Sequence, residues 1–513
     1  MSGLLRAASV IAIATLASRV LGLGREVAIA HTFGASAAYD AFIIAFLIPH
    51  LLRKLLAEGA LSTAFIPIYS SLRATDPERA SRFAGNVGTV ALVGFPIIVI
   101  AGIWGAPALV SLLADGFDPA KQALAAELTC WTFPFIMLVG LAALVMGVLN
   151  SHDHFFAPAF APVLFNIGLI VGAVVIAPNV DPPVMGLAWG VLLGGLGMLA
   201  FQLPFLRGRL DFHLRLHLND EDLKRLFVLM GPTVLGLVVV ELNVLVDNKL
   251  ASRLADGSIA SLQYAVRLFQ LPLGVFAVAV ATALLPQLSR LADPSPREQF
   301  VETLRNGLRL ATLVLLPATV GLIALGGPIV GLLFEHGAFT VDDGARTLGA
   351  LRFLSLGILG YGMTYLATRA FYALQDTKTP MVISSVAVGV NIALDLLLIG
   401  PLGVGGLALA TAAAGTVQLL LSLVILSRRL ETPLTRAVAG DGAKIALTAA
   451  LMGAAVYGVD GALLSSNLGD AVRTGLGLLV GLVSYGGLTL LMPSTRSILR
   501  QSGLTMTEDA KAL

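Results

Sequence analysis

Four arginines lie where an arginine is costly to place. Arg19 and Arg25 fall inside the first long apolar stretch, Arg53 inside the second, and Arg267 at the corresponding place in the second half of the chain. A charged side chain at the centre of a bilayer costs on the order of 3 kcal/mol or more, so such groups face a bundle interior or a wet cavity. Arginine stays protonated when partly desolvated, and its planar fork of donors grips phosphate or carboxylate oxygens two at a time. The set Arg19, Arg25, Arg53 and Arg267, with Asp40 beside them, is therefore predicted to line one cleft and to bind an anionic substrate, for which a pyrophosphate is a natural match. The competing reading is structural: each arginine is neutralised by a neighbouring carboxylate, and Asp40 and Glu26 are available. Lys54 and Glu58 stand four residues apart on one helix face and are expected to neutralise each other.

A second constellation is made of oxygen donors. Asp247 has no basic residue three or four positions away on its own helix, while Asn391 and Asp395 are four apart and share a helix face, with Thr411 one span later. Together they are predicted to form a coupling site for a small monovalent cation, sodium first or an exchangeable proton, that taps the membrane potential, worth about 2.3 kcal/mol per charge per 100 mV. The alternative pairs these carboxylates with Lys249, Arg253 or Arg369. No other cofactor is expected. His152, Asp153 and His154 resemble a metal site only weakly and read as a solvated turn. Cys130, the single cysteine, excludes an intrachain disulfide.

The elements that must position these groups are apolar helices. Of 513 residues, 57% are hydrophobic and 12% charged, with a mean hydropathy of +0.88, against roughly 25% charged in a soluble domain. About fourteen stretches are long enough to cross some 30 Å of hydrocarbon. They are continuously apolar, without the strand alternation of a membrane barrel, so the fold is an all-α integral membrane protein. The first stretch carries Arg19 and Arg25 and lacks a cleavage site, so it is read as a retained span. Arginines and lysines gather in alternate connections: Arg73, Arg79 and Arg82; Arg207, Arg209, Arg215, Lys224 and Arg225; Arg290 and Arg297; Lys378; Arg428, Arg429 and Arg436; Arg496 and Arg500. These connections mark the cytoplasmic side and place both termini there.

The chain also repeats itself. Phe33-Gly34-Ala35 through Pro49 aligns with Asp256-Gly257-Ser258 through Pro272, 223 residues on. Thr63 through Pro67 resembles Thr282 through Pro286, Phe165-Asn166-Ile167 matches Val390-Asn391-Ile392, and Gly186-Leu187-Ala188 matches Gly406-Leu407-Ala408. Six spans per half is an even number, so the halves are parallel repeats about an axis along the membrane normal, with the binding cleft expected between them. The expected division is an N-lobe over 1–218, a C-lobe over 219–432, and a pair of helices with a cytoplasmic tail over 433–513. Gly22 and Gly24 would let the first span bend.

A longer ordered series carries a resemblance. Ser18-Arg19-Val20-Leu21-Gly22, Gly24-Arg25-Glu26, Phe33-Gly34-Ala35, Tyr39-Asp40-Ala41-Phe42, Leu51-Leu52-Arg53-Lys54 and Ala57-Glu58-Gly59-Ala60 resemble the N-terminal signature of the MurJ (MviN) family. Tyr264 through Arg267, Leu271-Pro272, Leu285-Pro286, Leu333 through Gly337, Phe371-Tyr372-Ala373, Lys378-Thr379-Pro380 and Gly400-Pro401-Leu402 agree. The resemblance implies fourteen helices, six in each lobe and a final pair whose groove holds an isoprenoid tail. It also implies that Arg19, Arg25, Asp40, Arg53 and Arg267 are the family's required cavity charges. The implied substrate is lipid II, undecaprenyl-pyrophosphoryl disaccharide pentapeptide, flipped across the bacterial inner membrane by alternating access without covalent chemistry. Membrane lipid is the other expected partner, nucleic acid is not one, and a monomer is expected. The residues alone leave open a flippase for another polyprenyl-linked sugar. A multidrug exporter would want an acidic cavity, and a polyprenyl-phosphate transferase an aspartate-rich metal motif that the sequence does not contain.

Overall fold

The computed structural model describes residues 2–55, 61–210, 214–292, 297–464 and 469–491. Glu58, Arg496 and Arg500 lie outside the described residues. Among those described there are helices and no strands, as the uninterrupted apolar runs require. Eleven helical segments are long and apolar enough to cross a membrane, or twelve if a pair bent by 44° counts as one.

The chain forms two compact units, Met1–Ala260 with His336–Phe339, and Ser261–Glu335 with Thr340–Leu513. The first contains α1 (Ser2–Phe33), α2 (Ala37–Arg53), α3 (Leu61–Thr75), α4 (Pro77–Leu113), α5 (Pro119–Thr132), α6 (Phe135–Ser151), α7 (Phe156–Val171), α8 (Met185–Gln202) and α9 (Glu221–Ala251). Their starts are written in the sequence. Asp76 and Asp118 each accept backbone N–H groups one turn on and are followed by proline, whose missing N–H costs nothing there, and Asp220 caps α9 the same way. Helix α1 runs unbroken through Gly22 and Gly24. Helices α7 and α8 meet along glycines: a Cβ on Gly168 would lie 2.4 Å from the Gly194 nitrogen, and one on Gly190 2.8 Å from the Gly168 oxygen. Where lipid is as apolar as leucine, such close backbone contact is what holds helices together.

The second unit holds most of α10 (Ser258–Pro272), then α11 (Val278–Arg290), α12 (Arg297–Phe334), α13 (Val341–Ser355), α14 (Ile358–Ala373), α15 (Lys378–Leu402), α16 (Val404–Arg429), α17 (Leu434–Leu464) and α18 (Asp470–Leu491). The bent pair is α13 with α14. In the first unit α3, α4 and α6 pack on one another, α5 on α4 and α8, and α8 on α6 and α7; α11, α12 and α14, with α13, α15 and α16, repeat these pairings in the second. Gly34 and Gly257, 223 apart, both have positive φ, +60° and +80°. Helices α17 and α18 stand against α12, where the Tyr485 hydroxyl donates to the Leu313 carbonyl at 2.6 Å. Arg473 ties the two together by donating to Asp460 at 2.9 and 3.0 Å and to Asp470 at 2.9 Å.

The first unit ends one helix beyond the repeat boundary because α9 packs on α3 and α4. The approach to α9 is strapped down. Asn86, buried on α4, exchanges two 2.9 Å hydrogen bonds with the His217 backbone, Thr89 accepts from the Arg215 N–H at 3.0 Å, and Arg79 grips Asp222 bidentately at 2.8 and 3.0 Å. Outward faces are apolar, with Trp104 84% and Leu482 75% exposed, which only hydrocarbon solvates cheaply.

Candidate functional site

In the first unit, Arg25 is held from two sides. One guanidinium nitrogen donates to the Asn166 side-chain oxygen at 3.0 Å and another pairs with the adjacent Glu26, while Asn166 donates to the Ser18 carbonyl at 3.1 Å. Helix α1 thereby locks to α7 through a polar junction buried in apolar surroundings, with the Arg25 side chain 15% exposed. The fork is oriented before any ligand arrives. Arg19, six residues earlier, is exposed, and Arg53, in the last turn of α2, is half-buried. Lys54 reaches Glu241 on α9 at 2.9 and 3.2 Å. That partner is 187 residues away, so local spacing could not have named it.

Asp40 has partners that sequence reasoning missed. It is buried at the start of α2, accepting from the Lys121 ammonium at 3.0 Å, the Gly257 N–H at 2.7 Å and the Ala260 N–H at 2.8 Å. Lys121 also donates to Asp256 at 2.7 Å and sits 4.1 Å over the Phe117 ring. The carboxylate thus caps the first turn of α10 through space, where free N–H groups and the helix dipole favour an anion. The signal was present: Lys121 is a lone lysine within an apolar span at the end that is poor in basic residues. Its partner lies 81 residues back, which composition does not reveal.

Two further ties close the same end of this unit. Asp115 accepts from Arg253 at 3.0 and 2.7 Å and lies 3.5 Å from Lys249, and Gly116 N–H donates to Ser252 at 3.3 Å. Hydrogen bonds from Arg253 hold the Asp115 carboxyl below its ordinary value. The Ala338 N–H donates to the His31 carbonyl at 2.8 Å. Lys249 and Arg253 are therefore committed to Asp115, and Asp247, half-buried, accepts from Asn243 at 3.4 Å instead.

Arg267 lies half-buried on α10 in the second unit. There, Asn391 and Asp395 are both buried on one face of α15, and Asn391 donates to Thr411 on α16 at 3.4 Å. The structure brings these three together in one unit and places Asp247 in the other. Among the described residues no group of three or more His, Cys, Asp or Glu could hold a metal ion. His152 is not simply solvated: it lies 3.2 Å from the Tyr69 hydroxyl, while His154 stacks on Phe205. Burial lowers the pKa of both.

Apolar helices long enough to cross a membrane, with charged residues paired among them, define a polytopic helical membrane-protein fold. The chain shares it with an inward-facing MATE family transporter of the MOP superfamily, at TM-score 0.69 and 17% identity over 82% of this chain and 96% of that one. Residues 29–469 match the model of the lipid II flippase MurJ family, and the chain belongs to that family. It is 34% identical over 509 residues to a probable lipid II flippase MurJ of Vibrio cholerae, covering 95% of this chain and 96% of the relative. With the lipid II flippase MurJ of Burkholderia cenocepacia it shares 35% over 427 residues, 81% of this chain and 82% of that protein. A solved structure of lipid II flippase MurJ in an inward closed conformation superposes at TM-score 0.80 with 30% identity, covering 94% of this chain and 98% of that one.

Proposed function

We propose that this chain flips lipid II from the cytoplasmic to the periplasmic leaflet of the bacterial inner membrane, as a non-enzymatic multi-pass transporter working by alternating access. The observation that carries the reading is family membership along residues 29–469 in a chain whose first apolar helix holds a pre-oriented, half-buried arginine. Only the polar head of the substrate needs a protected route, since its tail is already soluble in lipid. Arg25, with Arg19, Arg53 and Arg267, replaces water around the pyrophosphate, and Glu26 and Asn166 keep the Arg25 fork aimed until a phosphate competes for it.

Asp40 acts at the end where the network closes rather than on the substrate. Opening that end breaks the bonds to Lys121, Gly257 and Ala260 and exposes a charged pair, so the closed state is favoured until binding energy offsets it. A sodium ion or proton at Asn391, Asp395 and Thr411, joined by Asp247 in part of the cycle, biases that equilibrium; a carboxylate, an amide oxygen and a hydroxyl are hard donors suited to it. We also take α1 and the α2–α3 stretch as two spans beyond the twelve, giving fourteen. The lobes are 1–218 and 219–432, and the helix pair from 433 takes the isoprenoid tail. The protein works as a monomer with both termini cytoplasmic.

The test is depletion of the protein in its host, following how much labelled lipid II stays inaccessible from the periplasmic face. Wild type should reverse the accumulation and Arg25→Ala should not, while Asp395→Ala should lose sodium or pH dependence. Normal lipid II exposure on depletion would move the reading to another polyprenyl-linked sugar, and full rescue by Arg25→Ala would remove the arginine from the site.

A further inference from the structure

Helix α12 is too long for the membrane it crosses. Its 38 residues span about 57 Å at 1.5 Å each, against roughly 30 Å of hydrocarbon. The surplus is all at one end: from Leu310 to Phe334 there is no charged residue, whereas Arg297 to Arg309 is densely charged. That first stretch stands at the level of the lipid headgroups on the side rich in basic connections. On it, Glu298, Glu302, Arg305 and Arg309 follow one another at spacings of four, three and four, which places them on one face.

These four, with Val301 and Thr432, line a cavity of about 530 Å³ beside the start of α17. Arg309 is tied to Asp441 on α17 at 2.5 Å. Arg305 makes no ion pair among the described residues, and its buried Nε–H donates to none of them. Neither Glu298 nor Glu302 takes part in an ion pair there, although Glu302 stands three residues from Arg305, the distance at which helical pairs ordinarily close. A buried donor left unmatched is unfavourable, so a ligand toward which the Arg305 guanidinium could turn would be favoured.

We infer that this cavity is a binding site for the zwitterionic headgroup of an aminophospholipid of the phosphoethanolamine type, taken from the surrounding leaflet. Charge order makes the assignment. Reading inward from water the stripe runs negative, negative, positive, positive, and a phosphoethanolamine presents its ammonium outward and its phosphate toward the acyl chains. Arg305, about 4.5 Å deeper than Glu302 by helical rise, takes the phosphate with Arg309 behind it, and Glu302 and Glu298 take the ammonium. An anionic headgroup would satisfy the arginines but would sit against two carboxylates, and free phosphate has no ammonium to offer them. The site depends on the membrane placement of α12 and not on which substrate is transported, so it stands or falls separately from the flippase reading.

The experiment is a titration of the purified full-length protein in detergent with dihexanoyl phosphatidylethanolamine, the matching phosphatidylglycerol and inorganic phosphate. Phosphatidylethanolamine should bind tightest. Arg305→Gln should weaken it about ten-fold, the worth of one charge-assisted contact, with Arg305→Lys recovering part of the loss. Glu302→Gln, an exposed position that should leave folding intact, should abolish the preference over phosphatidylglycerol. Unchanged phosphatidylethanolamine binding in both Arg305→Gln and Glu302→Gln would overturn the site. So would phosphatidylglycerol or phosphate binding the wild type as tightly as phosphatidylethanolamine.

Discussion

Two loops occupy corresponding places in the repeat and are fastened by different chemistry. The loop after α4 meets the end of α9 through charge, Asp115 against Arg253 and Lys249, with the Arg253 side chain 52% exposed. The loop after α12 meets the end of α1 through backbone, Ala338 N–H to the His31 carbonyl, where Gly34 and Gly337 both take positive φ. A third fastening at this end is the buried network around Asp40. An exposed ionic tie is weak and responds to salt, a backbone tie between glycines is stiff and indifferent to it, and a buried ion pair is costly to break. One end of one unit thus carries three fastenings graded in strength.

The gradation predicts three outcomes. The largest belongs to Lys121→Met, which strands the Asp40 carboxylate in the interior and should destabilise the protein by about 3–5 kcal/mol. Thermal unfolding in detergent, read by dye attachment to the partly buried single thiol of Cys130, would show it. Asp40→Asn with Lys121→Met should recover much of the loss, since both charges are then gone. If the double variant is as unstable as Lys121→Met, the pairing is not what the lysine contributes.

Gly34→Ala comes next. A Cβ there would meet the Ala338 oxygen at 2.4 Å on a residue with φ of +60°, so both sterics and conformation oppose it, at about 2 kcal/mol or more. Its melting deficit should be the same in low and high salt. A deficit that shrank as salt rose would mean that this loop is held by charge after all.

Much of this was legible in the sequence, and the gaps have one cause. Asp76-Pro77 and Asp118-Pro119 announce helix starts, and the matched Phe33-Gly34 and Asp256-Gly257 announce equivalent turns, because each is local chemistry. The arginines and aspartates inside apolar stretches could be named as special because apolar surroundings make them expensive. Their partners could not. Lys54 takes Glu241, 187 residues away, and Asp40, expected among arginines, takes Lys121, because contacts between distant spans are set by packing. Likewise Asp247 shares no unit with Asn391, Asp395 and Thr411, although all four looked alike as intramembrane oxygen donors.

The smallest effect is that of Asp115→Asn, and its pH dependence identifies it. Hydrogen bonds from Arg253 depress the folded-state pKa of Asp115, so its contribution is complete above the unfolded value, about 3.9, and is lost as pH falls through the lower folded one. Asp376 is depressed as well, chiefly by hydrogen bonds from Thr379, and weakens in the same acid window. Wild-type melting temperature should therefore fall between pH 5 and pH 3, and Asp115→Asn should start slightly lower at pH 7 yet lose less over that interval. Raising salt at neutral pH should bring the two melting curves together, because screening removes from the wild type what the substitution has already removed. A gap that persisted in high salt would place Asp115 with the stiff backbone fastening and erase the contrast between the two loops.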